Sequence, residues 1–360
     1  MMSACVKYPR RIARLSLLTC TGLLVVWPSV SRSDPEDGAQ NPGVIFGTDD
    51  RYPTKDPAVG RILNSNNAGC TGWLTTFGAI LTAGHCYNSP PFRLQFNVPL
   101  SNADGTINNP ADPKDTYTIE FTKFATGTGT DWGVAKAAPN SGMTPGQRQR
   151  AFVRLSNLPI PVNIRQMRVT GYGVAGPPPN YGNSGPKNKF NKTEQTATGP
   201  YLGNGKVANT VCYNVDTNPA NSGSPVYLNG TNVSIAIHTE GDPNGTNCPT
   251  PANFGTNIAL PDLVAAMQAF PGSLLNPPIP PDRTLFVDAL SVTAEQKGTV
   301  MAPFQKLSAA FTQGVSFGQS ALITVAPGTY ADTATTVKPV KDMRLVLPVG
   351  DVTFYPQLVP

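Results

Sequence analysis

Proline and glycine are scattered through the whole chain, and this limits its fold more than any other feature. They occupy 71 of the 360 positions, as 37 Pro and 34 Gly, without a fixed period. Both residues weaken or break helices, so the chain is neither a helical bundle nor a coiled coil. Because 39% of the residues are still hydrophobic, there is enough apolar surface for a core. We therefore expect one or two loop-rich, mostly β domains.

The positive charge of the chain lies at its start. The formal net charge is +5, and residues 1–33 contain five basic residues and no acidic one. The remainder of the chain is then neutral. This balance argues against nucleic acid as a partner and against a polybasic membrane-binding surface.

Residues 1–33 have the layout of a secretory signal peptide. A basic segment precedes an apolar run from Leu15 to Trp27, and small residues follow up to Ser33. The run is too short to cross a ~30 Å hydrocarbon core, so we expect removal instead of anchoring. Residues 34–43 are polar and acidic, and we interpret them as a short propeptide. These features predict a secreted protein without a membrane span in its mature chain.

Export leaves four cysteines in an oxidising compartment: Cys70, Cys86, Cys212 and Cys248. Four cysteines allow three pairings. We favour Cys70–Cys86 and Cys212–Cys248, because each pair closes a local loop. The chain has no C-x-x-C motif and two histidines, so we expect neither a zinc site nor a cofactor.

Residues 44 to about 260 alternate short β-type segments with clusters of Gly, Pro and Asn, which predicts a barrel or sandwich. The segment Pro261–Phe270 predicts a helix, because its apolar residues recur at helical spacing. Five prolines in residues 271–281 predict a linker at 271–282, which separates a unit at 44–270 from one at 283–360. The strands predicted for the first unit are 71–76, 80–82, 92–98, 117–121, 167–172, 211–215, 225–228 and 233–238.

The tail, residues 283–360, has a different pattern. It predicts strands at 285–287, 322–325, 343–347 and 352–354 and a helix at Pro303–Phe311. Its sequence resembles the opening rungs of right-handed parallel β-helix proteins, in which strands about twenty residues apart form one rung per coil. By this resemblance the helix caps the first rung; the alternative is an unrelated β appendage. We expect the tail to contact a glycan or another surface ligand, or to serve as a spacer.

His85 and His238 are the two histidines, so imidazole chemistry near neutral pH depends on one of them. His85 lies in the segment LTAGHC, Asp131 precedes an apolar strand in TDWGVA, and Ser222 lies in the turn NSGSPV. A serine hydroxyl becomes nucleophilic when a base removes its proton, and the base needs a carboxylate to fix its tautomer. The three motifs together favour a catalytic role for His85 over a structural one.

These motifs resemble those of the chymotrypsin-fold, or trypsin-like, serine peptidases. His85, Asp131 and Ser222 follow in the order of that family, 46 and 91 residues apart, and Cys70–Cys86 brackets the histidine as in the family. The resemblance covers about residues 44–270 and implies a double β-barrel with a C-terminal helix. It implies that His85 is the general base, Asp131 its orienting carboxylate and Ser222 the nucleophile.

The same resemblance assigns the residues around the nucleophile. The backbone N–H groups of Ala220 and Ser222 form the oxyanion hole. Ser224 lies two positions too late to be the nucleophile and is interpreted as structural.

A narrower resemblance is to the glutamyl endopeptidases of that superfamily. The segments that carry it are Val44–Arg51, Gly69–Gly72 and Ile235–Thr239. It implies that His238, Thr217 and the free α-amino group of Val44 bind the acidic side chain of the substrate. Several donors offset the desolvation of a buried carboxylate.

Three positions depart from these families. Ala220 stands where glycine is usual, and if the backbone there needs a positive φ, alanine adds about 1 kcal/mol of strain and activity is reduced. Asn221 replaces the aspartate that pairs with the new N-terminus in trypsin-type zymogens. Asp216 lies six residues before Ser222, where trypsin-like enzymes bind Arg or Lys. If its side chain turns out of the pocket, glutamate specificity stands; if it forms the floor, basic specificity follows.

The expectation is a secreted serine endopeptidase that cleaves protein or peptide substrates after Glu or Asp through an acyl-enzyme. The alternatives are a peptidase with trypsin-like Arg or Lys preference, and an impaired peptidase-like domain that acts as a binding or adhesion protein.

Overall fold

The protein is described by a computed structural model over residues 44–156, 166–178, 185–272, 281–318, 320–332, 343–346 and 352–356. The predicted signal peptide and propeptide, and most of the predicted linker, lie outside the described residues. Among the described residues, every helix is too short or too polar to span a lipid bilayer.

The part of the chain before the linker is mostly β, as predicted. Its strands are β1 (Tyr52–Pro53), β2 (Val59–Leu63), β3 (Gly69–Leu74), β4 (Ile80–Thr82), β5 (Phe92–Gln95), β6 (Thr116–Ala125), β7 (Trp132–Ala137), β8 (Arg154–Leu155), β9 (Gln166–Gly171), β10 (Gln195–Asn204), β11 (Thr210–Tyr213), β12 (Pro225–Leu228), β13 (Val233–Asp242) and β14 (Ala252–Asn257).

Two antiparallel barrels contain twelve of these strands. The first closes in the order β2-β3-β4-β7-β6-β5. In the second, the order β10-β11-β14-β13-β12-β9 closes because β9 also pairs with β10. Trp73, Leu81 and Val134 are fully buried in the first barrel, and Met167 and Val226 in the second. The predicted double barrel is therefore confirmed.

Two helices accompany the barrels. The short α1 (Pro145–Gln149) is capped by Thr144, whose hydroxyl accepts from the backbone N–H of Gln147 in a capping box. The predicted helix after the second barrel is present as α2 (Pro261–Gly272). It lies against β7 and buries Leu263 and Met267 in the first barrel's core. The chain thus returns to the first barrel after completing the second.

The tail consists of parallel strands: β15 (Thr284–Val287), β16 (Leu322–Val325), β17 (Gly328–Asp332), β18 (Arg344–Val346) and β19 (Val352–Pro356). They form a three-stranded sheet, β15-β16-β18, and a pair, β17-β19. In the sheet Ile323 lies beside Leu345 in register, and in the pair Tyr330 lies beside Phe354. The sequence separation between the paired strands is close to the length predicted for one coil of a β-helix.

The predicted start of the tail helix, at Pro303, is wrong. The helix is α3 (Leu307–Ser316). Phe304 is extended instead, because its N–H donates to the carbonyl of Phe286 and its carbonyl accepts from the N–H of Asp288. Apolar residues recur at a similar spacing in the extended segment around Phe304 and in the helix that follows it. Sequence periodicity alone therefore does not locate the start of the helix.

The tail packs directly on the first barrel. The Phe286 ring meets Phe77 edge to face, with centroids 4.5 Å apart, and Phe286 is fully buried. Arg154 forms an ion pair with Asp288, at 3.2 Å from Nε to Oδ2. The first tail strand therefore completes the hydrophobic core on this side of the barrel.

Candidate active site

His85 follows β4 on a short helical turn, Gly84–Cys86. A Cβ at position 84 would lie 1.8 Å from the carbonyl oxygen of Ala125 and 2.7 Å from that of Trp132. Glycine alone lets the two chain segments approach this closely. The approach brings His85 to the start of β7, where Asp131 lies.

Asp131 holds the imidazole of His85 at two points. Its Oδ1 accepts from the backbone N–H of His85 at 2.9 Å, and its Oδ2 lies 2.5 Å from Nδ1 of the ring. Asp131 is fully buried, and its own N–H donates to the hydroxyl of Thr256 on β14 at 3.1 Å. This hydrogen bond joins the backbone of Asp131, next to a strand of the first barrel, to a strand of the second barrel.

Strand β3 of the first barrel holds the turn that carries Ser222. The N–H of Thr71 donates to the Ser222 carbonyl at 2.8 Å, and the indole of Trp73 donates to the Gly223 carbonyl at 3.0 Å. Gly223 has a φ of +89°, and a Cβ there would lie 2.1 Å from the carbonyl oxygen of Thr71. The Ser222 carbonyl also lies 3.8 Å from Sγ of Cys86, next to His85 in sequence. The structure thus brings the His85 and Ser222 segments together.

The two serines of the turn differ in exposure. Ser222 is partly exposed, and its Oγ lies 3.5 Å from the carbonyl of Thr239, to which it donates. Ser224 is fully buried, and its Oγ has no partner among the described residues. A substrate therefore has access to Ser222 and not to Ser224.

Ala220 has a φ of +72°, in the left-handed region that favours glycine. The hydroxyl of Thr71 donates to its carbonyl at 3.1 Å and helps to fix this conformation. In the described part of the chain, the N–H groups of Ala220 and Ser222 donate to no protein acceptor. The turn therefore presents two unused donors beside the partly exposed serine.

His238 is buried on β13 and is neutral at ordinary pH. Its Nδ1 lies 2.7 Å from the hydroxyl of Tyr213 on β11. Desolvation, and then the nearby His85, lower the pKa of His238 to about 3, while the Phe254 carbonyl acts in the opposite direction. Burial raises the pKa of Tyr213, so the phenol keeps its proton. The pair offers hydrogen bonds to a ligand and not a fixed positive charge.

Val44 and Thr217, the other two residues predicted to bind the substrate carboxylate, are in direct contact. The N–H of Thr217 donates to the Val44 carbonyl at 3.2 Å. Asn253 on β14 accepts from Val44 N–H at 2.8 Å and donates to the carbonyls of Val44 and Val215. The Thr217 hydroxyl is buried and has no partner among the described residues.

Asp216 points to the N-terminal segment. Its Oδ1 accepts from the N–H of Phe46 and its Oδ2 from the N–H of Asp50, both at 2.8 Å. Burial raises the pKa of this carboxyl above its ordinary value, and the two backbone donors act against that rise. Both oxygens are therefore already used by the protein.

Tyr213 and Asn253 contact two predicted site residues, His238 and Val44, and the sequence analysis missed both of them. They lie opposite each other in register on β11 and β14, although 40 positions separate them in the chain. No local motif marks either residue, so their contribution becomes visible when the strands are paired.

Two disulfides stabilise these segments. Cys70–Cys86 joins β3 to the helical turn of His85, and Cys212–Cys248 joins β11 to the loop before β14. Both sides of the site are thereby cross-linked.

Comparisons with known proteins identify a family for this chain. The trypsin family model matches residues 45–260, more than half of the chain. An extracellular metalloprotease of Bacillus subtilis (strain 168) is 28% identical over an alignment of 227 residues, and the match covers 56% of this chain and 63% of that protein. The match spans less than two thirds of the relative's length.

Several solved structures are similar in fold. A Glu endopeptidase in complex with MPD is 19% identical with a TM-score of 0.45, and the match covers 61% of this chain and 96% of that one. The thermostable serine protease AL20 from an extremophilic microorganism is 14% identical with a TM-score of 0.43, and the match covers 56% of this chain and 91% of that one. The protease Anisep from Arthrobacter nicotinovorans is 16% identical with a TM-score of 0.41, and the match covers 57% of this chain and 92% of that one.

The name of the Bacillus relative raises the question of a metal ion. Among the described residues, one group of three potential ligands lies close together: Cys70, His85 and Cys86. Both sulfurs are joined in a disulfide, whereas a cysteine binds zinc as a free thiolate. Nδ1 of His85 is turned toward Asp131. These residues do not fit a metal site.

Proposed function

The chain belongs to the trypsin family of serine proteases, and on this basis we propose that it is a secreted endopeptidase that cleaves protein or peptide substrates through an acyl-enzyme on Ser222. The observation that carries the proposal is the contact between His85 and the fully buried Asp131 at 2.5 Å, beside a partly exposed serine. A buried carboxylate that fixes one ring nitrogen holds the ring in the tautomer in which the other nitrogen can act as a base.

In this mechanism His85 moves the protons. Its Nδ1–H donates to Asp131, and its Nε2 takes the Oγ proton while Ser222 Oγ bonds to the scissile carbonyl carbon. The C–N bond then breaks, and the imidazolium gives its proton to the departing amine. His85 next takes a proton from a water molecule, whose oxygen attacks the ester carbonyl carbon. The bond from that carbon to Ser222 Oγ then breaks, Oγ takes the proton back from His85, and the acid product leaves.

The N–H groups of Ala220 and Ser222 receive the oxyanion in this proposal. Support comes from their lack of a protein acceptor in the described part of the chain. Backbone donors that are fixed in place before the reaction stabilise the charge without reorganisation.

We assign the substrate preference to glutamate, with aspartate second. His238 and Thr217 supply hydrogen-bond donors to the carboxylate, and Tyr213 fixes the ring of His238 at Nδ1. The unpartnered hydroxyl of Thr217 supports this role, because a buried donor without an acceptor is costly unless a ligand uses it. The two backbone donors on Asp216 argue against a site for Arg or Lys.

The α-amino group of Val44 adds charge to this pocket in the mature enzyme. Asn253 already holds the nitrogen at 2.8 Å, and cleavage before Val44 converts that amide to an ammonium with further donors. Residues 1–43 are then a signal peptide and propeptide that keep the precursor a poor binder of substrate. N-terminal sequencing of the secreted active enzyme is expected to begin at Val44, and full activity in protein that still carries Asp34 would contradict this step.

Hydrolysis of Glu-containing peptides by Ser222→Ala tests the proposed chemistry. The variant should lose activity by several orders of magnitude, as should His85→Ala, because the members of a triad act as a unit. Ser224→Ala is the matched control and should keep most of the activity, since Ser224 is buried. Retained activity in Ser222→Ala would overturn the assignment.

A second candidate function is an impaired peptidase domain that presents its tail to a glycan or another surface ligand. The positive φ of Ala220 favours it, because strain at the oxyanion hole weakens catalysis. A fluorophosphonate probe separates the two functions, since it labels only an activated serine. Unlabelled Ser222, with trypsin labelled under the same conditions, would favour the binding function.

A further inference from the structure

Glu240 is a buried acid on β13, next to the segment that borders Ser222. The residue is 8% exposed, and its Oε1 has no hydrogen-bond partner among the described residues. The preceding residue, Thr239, supplies the carbonyl that lies 3.5 Å from Ser222 Oγ. A buried carboxyl oxygen without a partner costs stability, so its place beside the nucleophile calls for an explanation.

The charged groups that act on Glu240 include the catalytic pair. Asp131 and Asp242 are like charges, and His85 is an opposite charge when it is protonated. Asp242 is already committed to the backbone N–H groups of the turn at 246–248. The paired strand β14 carries no ionisable side chain. His85 is therefore the one group in this set that becomes a cation near Glu240.

The two groups stabilise each other's charge. Burial and Asp131 raise the pKa of Glu240, and the positive charge of His85 lowers it. By linkage, an ionised Glu240 favours the protonated form of His85 by the same free energy. Glu240 is 8% exposed and the side chain of His85 is 11% exposed, so their interaction is screened less than one between charges in water.

We propose that Glu240 is a positioning residue of this enzyme: its carboxylate, together with Asp131, stabilises the imidazolium that His85 becomes when Ser222 gives up its proton. The inference rests on the proposed serine protease function. Glu240 acts through His85 alone; it forms no bond to the substrate and transfers no proton.

Proton NMR of the histidine rings tests this coupling without any substrate. The chain has two histidines, and burial lowers the pKa of His238 to about 3, so a ring titration between about pH 5 and 9 reports His85. Glu240→Gln keeps the shape and removes the charge. We expect the midpoint of the His85 titration to move to lower pH by about half a pH unit or more.

Two further variants make the result specific. Glu240→Asp keeps the charge one methylene further away and should give a midpoint between wild type and Glu240→Gln, and it provides the comparison if Glu240→Gln does not fold. Glu120→Gln is the matched control, because Glu120 is an exposed acid on β6 paired with Lys136. It should titrate as wild type does. A Glu240→Gln midpoint equal to that of Glu120→Gln would overturn the inference.

The rate of Ser222 phosphonylation by diisopropyl fluorophosphate gives a second readout, free of any substrate carboxylate. In Glu240→Gln the plateau rate should fall about threefold or more, the rate ratio that corresponds to half a pH unit, while the acid limb moves to lower pH. The pH–rate profiles of wild type and Glu240→Gln therefore approach each other at low pH. A lower rate without movement of the acid limb would mean a merely structural role and would also overturn the inference. Absence of phosphonylation in wild type would instead refute the proposed function, and the NMR titration would still decide the role of Glu240.

Discussion

The hydroxyl of Tyr213 lies 2.7 Å from Nδ1 of His238, and the two rings belong to different strands of the second barrel. The contact fixes one ring nitrogen and thereby decides which nitrogen faces a ligand. A tyrosine that keeps its proton is suited to this task, because it gives the neutral ring a single orientation.

Tyr213→Phe should lower kcat/KM for Glu substrates by about five- to tenfold, the effect of one lost hydrogen bond in a buried site. Substrates with neutral side chains should change little. Steady-state kinetics on paired Glu and Gln peptides measures the difference. Tyr201→Phe, the same deletion on β10, is the control, and an equal loss on both peptides would show that Tyr213 does not act through the substrate carboxylate.

Asp216→Asn should loosen the N-terminal segment and leave the substrate preference unchanged. Asparagine retains one acceptor for the N–H groups of Phe46 and Asp50 and loses the charge, which costs about 1.5–3 kcal/mol in charge-assisted bonds. Chemical denaturation and a peptide library measure the two effects. Asp104→Asn, on an exposed loop, is the control. Wild-type cleavage after Arg or Lys that disappears in Asp216→Asn would show that Asp216 forms the pocket floor.

Ala220→Gly should stabilise the protein by about 1 kcal/mol, because glycine removes the strain of a positive φ. For a domain of this size the Tm should rise by about 2–4 °C. The rate of acylation should stay equal or increase. Ala137→Gly on β7, whose φ is negative, should lower the Tm instead. A lower Tm in Ala220→Gly would contradict the argument from strain.

The free energy of unfolding should fall as the pH rises from about 4.5 to about 8, because of Glu194. Desolvation raises the pKa of this carboxyl to about 8 from its ordinary value of 4.5, although the N–H of Asp56 and the hydroxyl of Tyr172 donate to it. The folded state thus favours the protonated acid. The stability that protonated Glu194 contributes is complete below the pKa of the unfolded state and is lost as the pH rises through the pKa of the folded state. Glu194→Gln should flatten the dependence in urea titrations across this range. An unchanged slope would mean that Glu194 is ionised in the folded protein.

Phe286→Ala should destabilise the barrel and the tail together, by about 3–5 kcal/mol, since the ring is fully buried against Phe77. Differential scanning calorimetry should show one transition at a lower temperature. Leu290→Ala, at a position 59% exposed, should change little. A wild-type transition for the barrel in Phe286→Ala would show that the tail unfolds independently.

The sequence predicts the barrels and the motifs well because both depend on local patterns. The strand at 225–228 has the predicted bounds, since proline begins it and a run of three apolar residues that favour strands continues it. The His85, Asp131 and Ser222 segments are recognisable because a tight turn or a strand start restricts the residues around each one. The turn of Gly84 and the positive φ of Gly223 are examples.

The direction of Asp216 and the partners of His238 could not be predicted. Position 216 is compatible with a pocket floor or with a clamp on the N-terminal segment, and the choice depends on backbone groups 166 and 170 residues away. Tyr213 and Asn253 likewise act across paired strands. The register between distant strands, and not the local spacing, decides these contacts.

The packing of Phe286 on Phe77 and the ion pair between Arg154 and Asp288 have a mechanical meaning. An enzyme domain on a flexible linker samples many orientations and can cleave any substrate within the reach of the linker. Here, a surface that captured the tail would hold the cleft at one height and one angle. Such an enzyme would trim those chains that the surface presents in the matching direction.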